Sequence, residues 1–305
     1  MNAAIGELYR VDVGLRGTGL RSASLDGGSN MNPISLEQLT VDEAAPLELV
    51  SIAGALQCQH VSLFLRTPQR PPQWYPMVTD AAFRRELVRR MADHGVTPYT
   101  VEFFPLSPRA QVEQYRPAFE CAAELGAKRM SVLVSDPDEE RRLERFCELC
   151  DRAAEFGLGA NVEFVAITQL PSLRDALRLV TRANRPNGGI MVDTLHLIRS
   201  GSTVAELAAV DPRWIGGAQF CDAPQTMPAE RQLFEAVSER MLPGQGELPL
   251  HEFVRALPPD VPIGVEVPMQ SLKDRGVGPL ERARLAVEAS RRIIAEAWSG
   301  SSSHA

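Results

Sequence analysis

One stretch of the chain reads Ile190-Met191-Val192-Asp193-Thr194-Leu195-His196, an apolar run that ends in an acidic residue and leads into a helix-like segment. Short apolar runs rich in branched side chains predict buried strands. The same passage from strand to helix recurs eight times in the chain, at roughly 33 residues per round, which is the period of a (β/α)8 TIM barrel. The sequence therefore predicts a single-domain α/β barrel, with a doubly wound open sheet as the runner-up.

The eight strand-like runs share a high content of apolar and β-branched residues. They are Ile34–Leu39, Val61–Leu65, Thr97–Phe103, Met130–Val134, Ala160–Phe164, Ile190–Asp193, Ile215–Phe220 and Ile263–Val267. Helical periodicity follows them, and one helix is expected between an N-cap at Thr79 or Asp80 and a stop at Gly95. The other clear helical patterns are Pro117–Leu125, Glu139–Phe156, Leu173–Ala183 and Pro279–Ala297.

The two ends of the chain differ in composition from the barrel region. Residues 1–30 are rich in Gly, Ser and Arg, and we expect them to form a flexible N-terminal extension. Met31 stands directly before the first strand-like run, which makes it a candidate natural start. We expect the barrel to span residues 31–298 and residues 299–305 to form a disordered tail.

The overall composition argues against several classes of protein. The formal net charge is -7 and the pI is near 5.4, so binding to a nucleic-acid backbone would work against the overall field. Five cysteines are consistent with reduced thiols in a cytoplasmic protein. No apolar run approaches the length of about 18 residues that a membrane span needs. We expect a small-molecule substrate rather than a nucleic-acid or membrane partner, and the sequence is compatible with a homo-oligomer.

Four oxygen-bearing side chains end or interrupt the last four strand-like runs: Glu163, Asp193, Gln219 and Glu266. The C-terminal ends of barrel strands point at a common cavity, so residues far apart in sequence converge there. A buried carboxylate is costly unless it is paired or bound to a metal. For any one residue, a charge that meets solvent or an arginine is the simpler explanation, but together the four favour one divalent-metal site. An all-oxygen ligand set favours Mn²⁺ or Mg²⁺ over Zn²⁺.

Three segments carry a resemblance to a known family. They are Asp193-Thr194-Leu195-His196-Leu197-Ile198-Arg199-Ser200-Gly201, Gln219-Phe220-Cys221-Asp222-Ala223-Pro224 and Pro243-Gly244-Gln245-Gly246-Glu247. With them the chain resembles, over about Met31 to Ala297, the xylose-isomerase-like barrel superfamily of sugar phosphate isomerases and epimerases. The resemblance implies one divalent ion held by Glu163, Asp193, position 219 and Glu266. Position 219 is His in the common pattern, although some relatives, including certain 3-dehydroshikimate dehydratases, carry Gln there.

The chemistry of such a site follows from its groups. A metal that chelates a carbonyl and an adjacent hydroxyl stabilises the enediolate that forms when an α-proton leaves. We therefore predict a metal-dependent isomerase or epimerase that acts on a sugar, sugar acid or related hydroxy ketone. The resemblance implies that Glu163 and Glu266 also move protons. His196 is the third catalytic candidate, with a capping or packing histidine as its alternative.

Four further residues are candidates for substrate contact. Arg240 precedes the Pro243–Glu247 loop, and its guanidinium suits a carboxylate or phosphate group, with a solvated helix-end arginine as the alternative. Asp222 either binds substrate or supports the metal ligands. Arg66 and Glu102 close the second and third strand-like runs at the same face, so we expect them to line the pocket.

Two other functions stay open. A lyase on the same scaffold would dehydrate a cyclic keto acid such as 3-dehydroshikimate, and Gln219 and Arg240 favour this reading. Dehydration creates conjugation and therefore ultraviolet absorbance, whereas epimerisation does not. The third alternative is a non-catalytic metal-binding barrel.

Overall fold

The computed structural model describes residues 32–67 and 73–299. Eight parallel strands close into a barrel in sequence order, and the last strand pairs with the first. The strands are β1 Ile34–Glu37, β2 His60–Phe64, β3 Thr97–Leu106, β4 Arg129–Val134, β5 Gly159–Glu163, β6 Gly188–Asp193, β7 Ile215–Phe220 and β8 Ile263–Val265. The predicted (β/α)8 barrel is confirmed, and the alternative of an open sheet is wrong.

Helices alternate with the strands throughout the described ranges. They are α1 Pro46–Ala55, α2 Pro76–Thr79, α3 Ala81–His94, α4 Arg116–Leu125, α5 Glu139–Ala154, α6 Leu173–Ala183, α7 Thr194–Arg199, α8 Val204–Ala208, α9 Ala229–Ser238, α10 Leu250–Ala256, α11 Gln270–Asp274 and α12 Pro279–Ser299. The predicted N-terminal extension, and all but the first residue of the predicted tail, lie outside the described residues. Within the described part of the chain, no helix has the length and apolar character needed to cross a membrane.

Helix α3 illustrates how local sequence sets the element ends. The Asp80 side chain accepts hydrogen bonds from the backbone N–H groups of Ala82 and Phe83, so Asp80 rather than Thr79 is the N-cap. Gly95 ends the helix in the left-handed region, at φ 65°, where a residue without Cβ is favoured.

Five strands end at different residues from those predicted: β2 and β5 end one residue earlier, and β1, β3 and β8 differ by two or three residues. The first strand stops at Glu37 because a 3-10 helix, Gln38–Val41, begins directly after it. The last strand stops at Val265, because the Thr40 hydroxyl donates to the Val265 carbonyl and accepts from the Val267 N–H in place of a neighbouring strand. The third strand continues past Phe103 to Leu106 by pairing with β4. Glu102 therefore lies within a strand, and Glu266 follows one.

The barrel interior below the strand ends is lined by small and polar residues. The buried Asn161 side chain packs against Gly189 and Gly216, and an added Cβ would come within 2.9 Å of it at Gly189 and 2.1 Å at Gly216. Ser62 and Ser131 are fully buried, and their hydroxyls donate to the carboxylates of Glu102 and Glu163. The interior thus presents polar groups to the end of the barrel where the acidic residues collect.

Candidate metal centre

The four predicted ligands lie at the C-terminal end of the barrel. Glu163 and Asp193 are the last residues of β5 and β6, Gln219 lies near the end of β7, and Glu266 directly follows β8. Asp193 and Gln219 are register partners across β6 and β7. All four side chains are buried. The fold therefore collects residues from four strands at one end, as the strand-end argument predicted.

Asp193 is held by backbone groups on one oxygen and by an arginine on the other. Its Oδ1 accepts from the N–H groups of Leu195 at 2.6 Å and His196 at 3.2 Å, so it caps helix α7. Its Oδ2 accepts from Arg240 Nη1 at 2.6 Å. Burial alone would raise the pKa of Asp193, but the charge and hydrogen bond of Arg240, together with contributions from His196, outweigh burial and lower the pKa below its ordinary value.

Glu266 shares the same arginine and adds a contact with Gln219. Arg240 Nη1 lies 2.9 Å from Glu266 Oε2, and Gln219 Nε2 donates to Glu266 Oε1 at 3.0 Å. The Gln219 Oε1 atom is buried and has no hydrogen-bond partner among the described residues. A buried amide oxygen without a hydrogen-bond partner destabilises the folded state, so this atom is suited to coordinate a cation.

Glu163 faces His196 across a short gap. Its Oε2 accepts from Ser131 Oγ at 3.1 Å, and its Oε1 lies 3.8 Å from His196 Nε2. Burial lowers the pKa of His196 to about 4, so the imidazole is neutral and this contact is not an ion pair at neutral pH. Burial, with added repulsion from Glu102 and Asp193, raises the pKa of Glu163 to about 8.

The end of the barrel holds two further carboxylates, Glu37 on β1 and Glu102 on β3. Burial raises the pKa of Glu37 to about 7, with repulsion from Glu266 as the next cause. Burial and repulsion from Glu37 raise the pKa of Glu102 as well. Glu102 was among the candidates from sequence, whereas Glu37 was not. Its signal was available, because Glu37 interrupts the first apolar run just as Glu163 interrupts the fifth.

The side chains at this end of the barrel that could bind a metal fall into two groups. Ligand atoms of Glu163, Asp193 and His196 lie within 4.8 Å of one another, and those of Glu37, Glu102 and Glu266 form a second such group. Arg240 lies between Asp193 of the first group and Glu266 of the second. The predicted set of Glu163, Asp193, Gln219 and Glu266 therefore converges at one end but spans both groups.

These residues fit a divalent cation. The buried carboxylates at this end are Glu37, Glu102, Glu163, Asp193 and Glu266, and their ion pairs to arginine in the described ranges are those of Arg240. A cation would offset the excess negative charge, and the free Gln219 Oε1 would gain a partner. The donors of the predicted set are all oxygens, which suits Mg²⁺ or Mn²⁺, and His196 adds one nitrogen beside them.

Arg240 is positioned by the predicted metal ligands rather than by solvent. Its side chain is 2% exposed, and besides the two carboxylates it donates to the carbonyl of Ala236. The guanidinium is thus engaged before any substrate arrives. Its predicted role in binding an anionic substrate group stays a prediction, while its contacts place it as a support for Asp193 and Glu266.

Asp222 organises the loop that follows β7. Its carboxylate accepts from the backbone N–H groups of Ala223, Gly244, Gly246 and Leu248 at distances of 2.9 to 3.1 Å. An added Cβ at Gly246 would come 2.4 Å from Asp222 Oδ1, so the glycine is needed for this close approach. Of the two roles left open for Asp222, these contacts favour support of the site.

Arg66 lies in the segment after β2. Its guanidinium carbon is 4.9 Å from the centre of the Trp74 ring, over whose face it stacks. The buried Arg66 Nε has no hydrogen-bond partner among the described residues. The predicted contact between Arg66 and substrate stays a prediction.

We expect Asp222→Ala to lower the free energy of unfolding by about 3 kcal/mol or more, because it leaves buried backbone donors without their charged acceptor. Urea denaturation measures this change. Asp211→Ala is the matched control, since Asp211 caps an exposed 3-10 helix through the Arg213 N–H and should cost about 1 kcal/mol. Equal losses in the two variants would contradict the structural role of Asp222.

Comparison with known proteins gives one family and several relatives. A model of the family described as the xylose isomerase-like TIM barrel matches residues 50–294. An inosose isomerase from Bacillus subtilis (strain 168) is 27% identical over 127 residues, which are 41% of this chain and 44% of that protein. The match thus spans less than half of the relative's length.

Solved structures of the same fold include proteins of different named activities. The IolI protein with a bound zinc atom has a TM-score of 0.75 at 18% identity, over 88% of this chain and 99% of that one. The probable 3-DHS dehydratase AsbF from Bacillus anthracis has a TM-score of 0.66 at 17% identity, over 85% of this chain and 99% of that one. D-psicose 3-epimerase in the presence of D-fructose has a TM-score of 0.64 at 13% identity, over 86% and 99%.

At these identities the structural matches establish the fold, while the named relatives comprise an isomerase, an epimerase and a probable dehydratase. The family match extends over most of the chain and agrees with the resemblance carried by the segments around Asp193, Gln219 and Pro243. The chain therefore belongs to the xylose isomerase-like TIM barrel family.

Proposed function

We propose that this protein is a divalent-metal-dependent isomerase or epimerase that acts on a sugar, sugar acid or related hydroxy ketone. The observation that carries the proposal is the convergence of Glu163, Asp193, Gln219 and Glu266 at one end of the barrel, where the Gln219 Oε1 lacks a partner. The isomerase and epimerase among the related proteins support it. Mn²⁺ or Mg²⁺ is the proposed ion, although one structural relative holds zinc.

In this proposal Glu163, Asp193, Gln219 and Glu266 would hold the divalent ion, which when bound would polarise a substrate carbonyl and offset the negative charge that develops when an α-proton leaves. Glu163 ends β5 and Glu266 directly follows β8, with β6 and β7 between them, so their carboxylates would approach a shared substrate from different sides. One carboxylate takes the α-proton and the other returns a proton to the neighbouring carbon or to the opposite face. Neutral His196, next to Glu163, donates to or accepts from a substrate oxygen.

Arg240 acts as a positioning residue. Its short contacts with Asp193 and Glu266 hold both carboxylates in place and keep part of their charge neutralised. This arrangement weakens one argument for a dehydratase, because a guanidinium already paired with two carboxylates is a poor receptor for the carboxylate of a keto acid. Gln219 remains the residue that favours the dehydratase alternative.

The test is α-proton exchange in D₂O. Protein loaded with Mn²⁺ or Mg²⁺ is incubated with a panel of ketoses, inososes and cyclic keto acids, and deuterium uptake is followed by NMR. We expect uptake at an α-carbon of at least one hydroxy ketone, and loss of this uptake with a chelator. New ultraviolet absorbance from a keto acid would favour the dehydratase. A metal-loaded protein that exchanges no member of the panel would support the non-catalytic barrel.

A further inference from the structure

Three buried carboxylates form a cluster that the proposed ion does not account for. Glu37 on β1, Glu102 on β3 and Glu266 after β8 place ligand atoms within 4.8 Å of one another. Their exposed fractions are 3%, 5% and 3%. Two of these residues, Glu37 and Glu102, do not belong to the predicted metal-ligand set. The cluster therefore calls for a separate explanation.

One member of the cluster has an oxygen with no partner. Glu37 Oε2 is buried and forms no hydrogen bond among the described residues. Burying a carboxylate oxygen in this way destabilises the folded state unless the oxygen carries a proton or binds a cation. This unsatisfied atom is the second observation, beside the clustering, that indicates a ligand at Glu37.

The surrounding residues fix the cluster in place. Gly264 on β8 allows Glu37 to lie against the strand, because an added Cβ would come 2.3 Å from Glu37 Oε1. The Ser62 hydroxyl donates to Glu102 Oε1 at 2.5 Å. The carboxylates of Glu37 and Glu102 are therefore oriented by their neighbours on β8 and β2, as ligands of a built site would be.

The charge at this end of the barrel is also compatible with more than one divalent ion. Its buried acidic residues are Glu37, Glu102, Glu163, Asp193 and Glu266, and their arginine partner in the described ranges is Arg240. One guanidinium and one divalent ion leave two negative charges uncompensated if every carboxylate is ionised. A second divalent ion would supply the missing charge. Oxygens bound at 2.0–2.6 Å to one ion lie at most about 5 Å apart, which agrees with the spacing in the cluster.

We propose that Glu37, Glu102 and Glu266 hold a second divalent cation, and that Glu266 is shared between the two ions. The all-oxygen donor set fits Mg²⁺ or Mn²⁺ rather than Zn²⁺. This second site adds to the ion proposed above and does not depend on which reaction the protein catalyses.

The test is the number of Mn²⁺ ions bound per folded chain. Protein equilibrated with Mn²⁺ is desalted and analysed by inductively coupled plasma mass spectrometry, and electron paramagnetic resonance shows whether two ions are close enough to couple. We expect two ions and a spin-coupled spectrum for the unaltered protein, and one uncoupled ion for Glu37→Gln and for Glu102→Gln. Glu235→Gln is the control, because Glu235 is equally buried but pairs with Arg199 outside the cluster, and it should keep both ions.

A single uncoupled ion in the unaltered protein would overturn the proposal, and the Glu37–Glu102 pair would then be neutralised by protons. The measurement on the unaltered protein decides this even if a variant does not fold. The two proposals also fail separately. Two bound ions without α-proton exchange would remove the proposed reaction and keep the second site. One bound ion with exchange would remove the second site and keep the reaction.

Discussion

Glu163→Gln is expected to lower kcat/KM for α-proton exchange by about 10²–10⁴-fold, the usual contribution of a positioned acid or base. The amide keeps the shape of the side chain and its contact with the Ser131 hydroxyl, but it cannot take a proton. Glu163 is also one of several buried carboxylates that repel one another. Its neutral replacement should therefore leave the stability of the metal-free barrel unchanged or higher.

This pairing of lost activity with retained stability separates a catalytic role from a structural one. Rates come from deuterium uptake by the substrate that reacts, and stability comes from thermal unfolding without metal. Glu235→Gln is the matched control, since it removes a buried carboxylate that pairs with Arg199. It should lose stability and keep its activity per folded molecule. Activity of Glu163→Gln close to that of the unaltered protein would remove Glu163 from the mechanism.

Arg240→Met is expected to have the largest effect on stability, a loss of about 3–5 kcal/mol in the metal-free protein. The guanidinium lies 2.6 Å from Asp193 Oδ2 and 2.9 Å from Glu266 Oε2, and all three side chains are almost fully buried. Its removal leaves two buried carboxylates without a counter-charge. A divalent ion bound by the same carboxylates should restore part of the loss, so Mn²⁺ should raise the Tm of this variant more than that of the unaltered protein.

Arg199→Met provides the comparison, because Arg199 forms an equally buried pair with Glu235 that no predicted metal ligand shares. It should also lose stability, but Mn²⁺ should not rescue it preferentially. Differential scanning fluorimetry with and without Mn²⁺ measures both effects. If Mn²⁺ stabilised the two variants to the same extent, this result would contradict the proposal that Arg240 pairs with carboxylates that also bind the metal.

Much of the fold could be read from the sequence, because strand and helix periodicity are local properties. All eight predicted strands exist, and the apolar runs around Val162 and Val192 identified two of them. The ends of the strands were harder to predict, because they depend on contacts with residues far away in the sequence. Thr40 replaces a strand neighbour of Val265 and Val267, and no pattern within the last strand predicts that contact.

For the candidate site, the sequence predicts which residues meet at one end of the barrel but not how they are arranged there. Strand-end position is enough to bring Glu163, Asp193, Gln219 and Glu266 to one end of the barrel. The position of Arg240 between two of them depends on the path of the segment after α9, which the sequence does not specify. Residues far apart in the chain create these contacts, so they become visible only in the folded structure.

The most direct test of the account is a crystal structure of the protein soaked in Mn²⁺, with anomalous diffraction recorded to locate the ion. We predict an anomalous peak at about 2.0–2.6 Å from oxygens of Glu163, Asp193, Gln219 and Glu266, with the Gln219 Oε1 turned toward it. The lack of a peak at these four residues, at a Mn²⁺ concentration that supports α-proton exchange, would contradict the metal-centred site.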